Sequence, residues 1–288
     1  MPQQLDVRDL APGFGAEVRG LDPSQPVNDA NGELLQRAFD ERGILVFRDL
    51  AIDGAYQAYL AGVVLGRSVD TGDGQDVDAA DAVYVSNTEA NGKAPYGRLL
   101  FHSDMMWADR PFDVLSLYGV EVAESSVPTI FTSAANAWDT LPPDLRERVA
   151  GLEAVHVTGQ QRRAGGDDGE LLQPQRERVS STTKPIAYPH PRTGRTLLYV
   201  CEMMTQRVEG LDDAESERLL GALFEHLYSD ASTWTHEWRS GDLVVWDNLA
   251  VQHARPDVAL DGPVRTLRKV IAPKPTIAIE KPRYDRAS

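Results

Sequence analysis

Apolar positions recur at helical spacing in three segments of the chain. In Asn31–Arg42 they fall three and four residues apart, and Gly43 follows as a residue that commonly ends a helix. Ala55–Leu65 and Asp213–Tyr228 have similar patterns. Between the first two lies Ile44–Phe47, a short and fully apolar run that is typical of a buried strand. The first third of the chain therefore predicts alternating helices and strands.

Strand patterns dominate from residue 99 onward, because β-branched and aromatic residues gather in short runs separated by turn residues. One further helix is predicted at Leu141–Val149, which carries prolines early. The predicted strands are Val114–Val122, Thr129–Ser133, Pro185–Pro189, Thr196–Cys201, Trp234–Arg239, Gly241–Asp247 and Val264–Ala272. These patterns predict a mainly β protein with helices on its outside, in the α+β class.

Two long polar segments, residues 66–97 and 160–184, interrupt this strand-rich pattern. Both contain glycines, and the first has only one strand-like stretch, Ala82–Ser86. Connections of this length inside a compact domain are usually lids or disordered loops. No internal repeat or linker divides the chain, so we expect one domain over residues 1–288, with two insertions that close over a substrate.

Composition narrows the class of protein further. The chain has 288 residues, of which 42% are hydrophobic and 25% charged, and its formal net charge is −15. Such an acidic chain repels a phosphate backbone, which disfavours nucleic acid as a partner. No apolar run is long enough to cross a bilayer, and the single cysteine, Cys201, cannot form an internal disulfide. We therefore expect a cytoplasmic protein without a membrane partner; whether it forms a homo-oligomer is left open.

The clearest candidate for chemistry is His102-Ser-Asp104, at the end of the run Leu99-Leu-Phe. On a strand, residues two apart point to the same face, so this histidine and aspartate could reach one ion. A second histidine would complete the set of two imidazoles and one carboxylate that holds Fe(II) in non-haem oxygenases. A polar pair on the surface is the alternative interpretation of so short a motif.

A second motif supplies that histidine. Gly241-Asp-Leu-Val-Val-Trp-Asp-Asn248 combines two turns with a buried strand, and His253 follows five residues later, about 150 residues after His102. With this motif the sequence resembles the taurine dioxygenase (TauD/TfdA-type) family of Fe(II)- and 2-oxoglutarate-dependent dioxygenases. The segment Thr129-Ile-Phe-Thr-Ser133 and the arginines of Val264–Val270 also match. The resemblance covers roughly residues 5–275.

This resemblance implies a fold, cofactors and site residues. The implied fold is a double-stranded β-helix (a jelly roll of the clavaminate synthase type). The implied metal ligands are His102, Asp104 and His253, which would bind Fe(II), with 2-oxoglutarate and O₂ as cosubstrates. Thr129 and one arginine of the last strand would hold 2-oxoglutarate, because a guanidinium donates two charge-assisted hydrogen bonds to a carboxylate.

Two arginines, Arg265 and Arg268, compete for this role. They lie three residues apart, so a regular strand points them to opposite faces and only one can face the site. The family's four-residue spacing pairs Arg265 with Lys269 inward and leaves Arg268 outward, whereas an ungapped count from His253 favours Arg268. We favour Arg265, because Lys269 then adds a second cation on the same side.

The expected activity is oxidation of a small organic acid, an amino acid or a natural-product intermediate, with release of succinate and CO₂. The carboxylate of Asp104 favours hydroxylation, because related halogenases lack it; desaturation and heteroatom release remain open. Lys269 stands where taurine-specific members are expected to carry an arginine, which argues against taurine. The alternative is a non-catalytic jelly-roll protein that binds a metal or another ligand and needs no cosubstrate arginine.

Overall fold

The computed structural model describes residues 4–11, 13–66, 83–158 and 180–273. Five helices lie in this part of the chain, namely α1 (Asp29–Arg42), α2 (Gly54–Leu65), α3 (Ala134–Thr140), α4 (Pro143–Val149) and α5 (Asp213–Leu227). Its strands are β1 (Asp6–Ala11), β2 (Phe14–Arg19), β3 (Ile44–Phe47), β4 (Val83–Ser86), β5 (Leu99–His102), β6 (Val114–Val122), β7 (Thr129–Ser133), β8 (Glu153–Val157), β9 (Ser181–Pro185), β10 (Ala187–Pro189), β11 (Thr196–Leu198), β12 (Thr205–Val208), β13 (Thr233–His236), β14 (Leu243–Asp247), β15 (Val251–Arg255) and β16 (Arg265–Ala272). The fold is mainly β with flanking helices, which confirms the predicted class.

Two sheets form the framework of the molecule. The larger has seven strands in the order β1-β2-β3-β14-β6-β16-β4, and the smaller has four in the order β13-β7-β15-β5. Neighbours within both are antiparallel except β2 and β3. A three-stranded sheet, β12-β8-β9, and the hairpin β10-β11 complete the described sheets. Some neighbouring strands are distant in the sequence; β14, for example, lies between β3 and β6. Their pairing joins early and late parts of the chain in one sheet.

Strand β14 shows how alternating side chains serve two cores. Leu243 and Val245 belong to the apolar cluster that α1 and α2 form against the seven-stranded sheet. Val244 and Trp246 point the other way, into a cluster that includes Phe131 of the four-stranded sheet. Because successive side chains on a strand point to opposite faces, one buried strand stabilises both layers. The face toward the four-stranded sheet is the one that carries the candidate site.

The first helix ends at Arg42, as the sequence predicts, but begins two residues before the predicted start, at Asp29. The side chain of Asn28 accepts a hydrogen bond from the backbone N–H of Asn31, which caps the N-terminus. Gly43 ends the helix with φ of 72°, a left-handed conformation that glycine adopts without a Cβ penalty. Strand β3 starts immediately afterwards, so this cap sets the direction in which the chain enters the seven-stranded sheet.

Some predicted elements need correction. Residues 180–184 are not part of an insertion, because β9 begins at Ser181 and pairs with β8, and the side chain of Lys184 is buried. Helix α3 is missing from the prediction; Ser133 caps it by accepting a hydrogen bond from the N–H of Asn136. Strand β11 is shorter than predicted and ends at Leu198. In the first predicted insertion, Val83–Ser86 forms β4 and pairs with β16, so this part belongs to the seven-stranded sheet. Residues 67–82 and 160–179 of the two predicted insertions lie outside the described residues, so the predicted lid stays a prediction.

Among the described helices, none combines the length and the apolar character that crossing a bilayer requires.

Candidate active site

His102 and His253 face each other across two neighbouring strands. Strands β5 and β15 are antiparallel, and their register pairs these two residues directly. Their ring centroids lie 4.2 Å apart. Side chains directly opposite each other in an antiparallel pair lie on the same face of the sheet. Pairing of two strands distant in the sequence therefore brings the two imidazoles together.

Asp104 reaches the same point, but not in the way that the sequence predicts. Strand β5 ends at His102, and Asp104 lies in the turn that follows, next to Met105 with a φ of 60°. The expected alternation along a strand is therefore wrong here, because the chain turns back. The carboxylate Oδ1 nevertheless lies 3.2 Å from Nε2 of His102. One ligand atom from each of His102, Asp104 and His253 falls within 4.8 Å of the others.

Hydrogen bonding fixes the tautomer of His102. Its Nδ1 lies 2.8 Å from the carbonyl oxygen of Leu100, and since a carbonyl can only accept, Nδ1–H is the donor. In the neutral ring, Nε2 then carries a lone pair, directed at the carboxylate of Asp104. Two acceptor atoms so close together repel each other unless a proton or a metal ion lies between them. A backbone carbonyl on the far nitrogen is also what orients histidines that bind metals.

The charge states of the other two groups also suit a metal. Burial, with His102 close by, holds the pKa of His253 well below its usual value, so its imidazole is neutral and can donate a lone pair. For Asp104, burial alone would raise the pKa, but Lys269 and His102 outweigh it and hold the pKa well below its usual value. The site thus presents two imidazole nitrogens and an ionised carboxylate, a donor set that fits Fe(II).

Arg265 extends the site on the side of β16. Its side chain is only 3% exposed, yet Nε donates to the carbonyl of Val127 and Nη2 to Oγ1 of Thr129, both neutral acceptors. No ion pair with a carboxylate involves Arg265 in the described part of the chain. Burial, with Arg255 nearby, lowers its pKa to about 9, which leaves the guanidinium charged at neutral pH. A buried cation without a counter-charge favours an anionic ligand.

Thr129 stands beside this arginine with its hydroxyl in a defined role. Its oxygen accepts hydrogen bonds from Nη2 of Arg265 at 3.0 Å and from Nε1 of Trp238 at 2.9 Å. A hydroxyl has two acceptor lone pairs and one hydrogen to donate. With both lone pairs used, the hydroxyl hydrogen is left for a ligand oxygen. Sequence reasoning missed Trp238, although its indole also lies next to the Arg265 guanidinium.

The other arginine of β16 points to the opposite side of the sheet. Arg268 donates from Nε to Oε1 of Gln57 and from Nη2 to the carbonyl of Ile52, both on the side of α2. Its predicted orientation away from the site agrees with these contacts. Its side chain is only 6% exposed, so it points away from the site without facing solvent. Packing of α2 over this face covers it.

Lys269 points toward the three candidate metal ligands. Its Nζ forms an ion pair with Oδ2 of Asp104, and it lies 6.0 Å from the ring centroid of Phe112. Lys269 and Arg265 therefore lie on the same side of β16, as the four-residue spacing predicts. They place two cations beside one carboxylate, so an anionic molecule would improve the local charge balance.

Two imidazoles and a carboxylate on a mainly β framework, beside a buried arginine, match the donor set of the non-haem metal oxygenases. The chain belongs to the TauD/TfdA family, since the model described as "Taurine catabolism dioxygenase TauD, TfdA family" matches residues 6–271. It is accordingly an oxidoreductase, a dioxygenase of the 2-oxoglutarate-dependent class that oxidises small molecules.

Individual relatives agree with this assignment. The chain is 30% identical to pentalenolactone F synthase of Streptomyces avermitilis, over 94% of this chain and 95% of that protein. It is 29% identical to the alpha-ketoglutarate-dependent 2,4-dichlorophenoxyacetate dioxygenase of Cupriavidus pinatubonensis, over 85% and 89% of the two chains. A taurine dioxygenase structure from Burkholderia xenovorans superimposes with a TM-score of 0.73 at 25% identity, covering 93% of this chain and 90% of the other.

Proposed function

We propose that this dioxygenase binds one Fe(II) through His102, Asp104 and His253, and that Arg265 and Thr129 bind the distal carboxylate of 2-oxoglutarate. The two large sheets would then form the jelly roll of the family. Bound Fe(II) supplies the centre at which 2-oxoglutarate and O₂ react, with succinate and CO₂ as coproducts. The observation that carries this proposal is the convergence of the three ligand atoms within 4.8 Å, close to a buried arginine for which the described residues supply no counter-charge.

Several residues would contribute to the binding of 2-oxoglutarate, each in a different way. Arg265 would offer a fork of N–H donors to the cosubstrate carboxylate, while Thr129 would donate its remaining hydroxyl hydrogen to the same group. Trp238 holds Thr129 in place through its indole N–H. Apolar neighbours of the site, such as Phe131 and Trp246 against His253, would exclude water from the metal.

For the primary substrate we propose a small organic acid or a natural-product intermediate that carries an anionic group. Lys269 supports this choice, because its ammonium group lies at the site with only Asp104 as a counter-charge among the described residues. The names of two relatives point the same way: one oxidises 2,4-dichlorophenoxyacetate, a carboxylate, and another is a pentalenolactone F synthase. A lysine offers a point charge rather than a planar fork, which makes taurine a poorer fit.

The test combines metal binding with turnover. Anaerobic titration should give one bound Fe(II) per chain, and with O₂, ascorbate and 2-oxoglutarate the protein should form succinate. His102→Ala should abolish both. His226→Ala should retain them, because His226 lies on α5 and bonds to the carbonyl of Ala137 and the hydroxyl of Thr140, none of which is a proposed metal ligand. A parent protein that binds the metal but forms no succinate would favour the non-catalytic alternative.

A further inference from the structure

Asp104 lacks the support that holds the two histidine ligands. His102 and His253 lie on paired strands, but Asp104 lies in an irregular turn beyond the end of β5. Carboxylate position matters in a three-ligand site, because a shift of a few tenths of an ångström changes the metal coordination. Some other group must therefore fix the backbone that carries this carboxylate.

That group is the side chain of Asn248. Its Oδ1 accepts a hydrogen bond from the backbone N–H of Asp104 at 3.0 Å, and its Nδ2 donates to the carbonyl of the same residue at 2.9 Å. Nδ2 also donates to the carbonyl of Phe112 at 3.2 Å. If the oxygen and nitrogen of the amide were exchanged, the NH₂ group would face the N–H of Asp104, and the oxygen would face the carbonyls of Asp104 and Phe112. The orientation of Asn248 is therefore determined by its partners.

Asn248 is itself rigidly held. It is fully buried, and its backbone N–H donates to the carbonyl of Asp113. The preceding residue, Asp247, accepts hydrogen bonds from the backbone N–H groups of Leu249 and Ala250, which closes the turn. His190 approaches the same carboxylate through Nε2 at 3.0 Å.

The tautomer of His190 supports this arrangement. Its Nδ1 accepts from the backbone N–H groups of Arg192 and Thr193, so the ring proton lies on Nε2 and is donated to Asp247. The turn that carries Asn248 thus has a buried histidine–aspartate support. Since this turn leads directly into β15, it connects Asp104 to the strand that carries His253.

We infer that Asn248 is a positioning residue that sets the geometry of Asp104 relative to His253 for metal binding. This inference rests on the proposed metal site and deepens it. Only a short side chain with both a donor and an acceptor can bond both backbone groups of one residue at this distance. Leucine has a similar shape but neither function, and alanine removes the group altogether.

Gln252 provides a matched control on β15, the strand that follows the turn of Asn248. It is an equally buried amide, its Nε2 donates to the carbonyl of Val200, and its Oε1 accepts from the hydroxyl of Tyr228. None of these partners is a proposed metal ligand. Gln252→Leu should therefore lose buried hydrogen bonds, as Asn248→Leu does, without releasing Asp104.

The experiment measures Mn(II) binding to the parent protein, Asn248→Leu, Asn248→Ala and Gln252→Leu by electron paramagnetic resonance, at a temperature where circular dichroism shows each to be folded. Both Asn248 variants should bind Mn(II) about 10–100-fold more weakly than the parent, with an altered spectrum of the bound ion. Gln252→Leu should stay within about twofold. If one Asn248 variant does not fold, the other still gives the result.

Two outcomes would contradict the inference, and they differ in what else they overturn. Parent-like Mn(II) affinity in the Asn248 variants, or an equal loss in Gln252→Leu, would show that Asn248 has no specific role while leaving the metal site intact. A parent protein that binds no Mn(II) would overturn the proposed metal site and, with it, the role of Asn248.

Discussion

Strand β16 buries an arginine on each of its two faces, and the two differ in what they bond. Arg268, beneath α2, donates to Gln57 and to the carbonyl of Ile52, and its guanidinium lies 4.8 Å from the ring centroid of Tyr118. Arg265, on the face of the site, donates to Val127 and Thr129. The first ties a helix to the sheet, whereas the second adjoins the proposed metal ligands and has no carboxylate partner in the described structure.

This difference teaches how burial should be interpreted for charged residues. Low exposure alone does not separate a structural arginine from one that binds a ligand, because both side chains are less than a tenth exposed. The partners separate them. Gln57 bonds Arg268 through Oε1 and returns a hydrogen bond from Nε2 to the backbone carbonyl of the same residue, a closed contact between α2 and β16. Among the described residues, neither acceptor of the Arg265 guanidinium returns a hydrogen bond to the same residue.

The largest effect is expected for Arg265, on the face of β16 that carries the candidate site. Arg265→Ala should weaken 2-oxoglutarate binding by about 2–5 kcal/mol, because the distal carboxylate then lies in a buried site without a counter-charge. Arg265→Lys should recover only part of this loss, since an ammonium group lacks the planar fork. The measurement is calorimetric titration of 2-oxoglutarate into the Mn(II)-loaded protein without O₂. Parent-like affinity in Arg265→Ala would reassign the carboxylate to another cation.

On the other face, Arg268→Ala should reduce the free energy of unfolding by about 2–4 kcal/mol, because it leaves buried acceptors on Gln57 and Ile52 unpaired. Urea unfolding followed by circular dichroism measures this loss. Cosubstrate affinity of the folded variant should change by well under about 1 kcal/mol. A larger loss of 2-oxoglutarate binding than in Arg265→Ala would reverse the assignment of the two faces.

A smaller effect is expected from the partner of Arg265. Thr129→Val removes the hydroxyl that bonds Arg265 and Trp238, so the cosubstrate should bind about 1–2 kcal/mol more weakly. Thr132→Val is the matched control, since this hydroxyl is on the same strand but donates to the carbonyls of Leu227 and Ser232. Equal losses of affinity in the two variants would indicate a general effect on β7.

Much of this contrast could be predicted from the sequence. Parity along a strand separates Arg265 from Arg268, and the motifs indicate His102, Asp104 and His253, which the structure brings together. The local sequence did not predict the turn at Asp104. Met105 has a left-handed backbone there, and methionine is not a residue type that indicates this conformation. The residues that support the site were also missed.

Those supporting residues depend on contacts between distant parts of the chain. Trp238 bonds a threonine 109 residues away, and Asn248 bonds an aspartate 144 residues away. The burial of Lys184 follows from strand pairing that a polar sequence does not indicate. Periodicity describes which face a residue occupies within one element, but the packing of other elements on that face decides whether the residue is covered.

The smallest effect is expected for His156, a buried histidine away from β16, whose charge also depends on its partners as well as on its burial. His156 on β8 is fully buried; its Nδ1 lies 3.1 Å from Oγ1 of Thr205, and burial, with Lys184 nearby, lowers its pKa to about 3. In the unfolded chain a histidine has a pKa of about 6.5. Between these values the unfolded state binds a proton that the folded state does not. The contribution of His156 to the free energy of unfolding is therefore fully present above about pH 6.5 and is lost as the pH decreases.

From pH 6.5 to 5.5 this one group should cost about 1 kcal/mol of unfolding free energy. His156→Leu removes the titrating ring, so its stability should depend less on pH by that amount, whatever its stability at neutral pH. Urea unfolding of both proteins at the two pH values measures the difference. Equal pH dependence in the parent and the variant would mean that His156 takes up a proton in the folded state, as a ring near an acidic partner would. That result would show that low exposure, here as on β16, does not by itself determine how a polar side chain is charged.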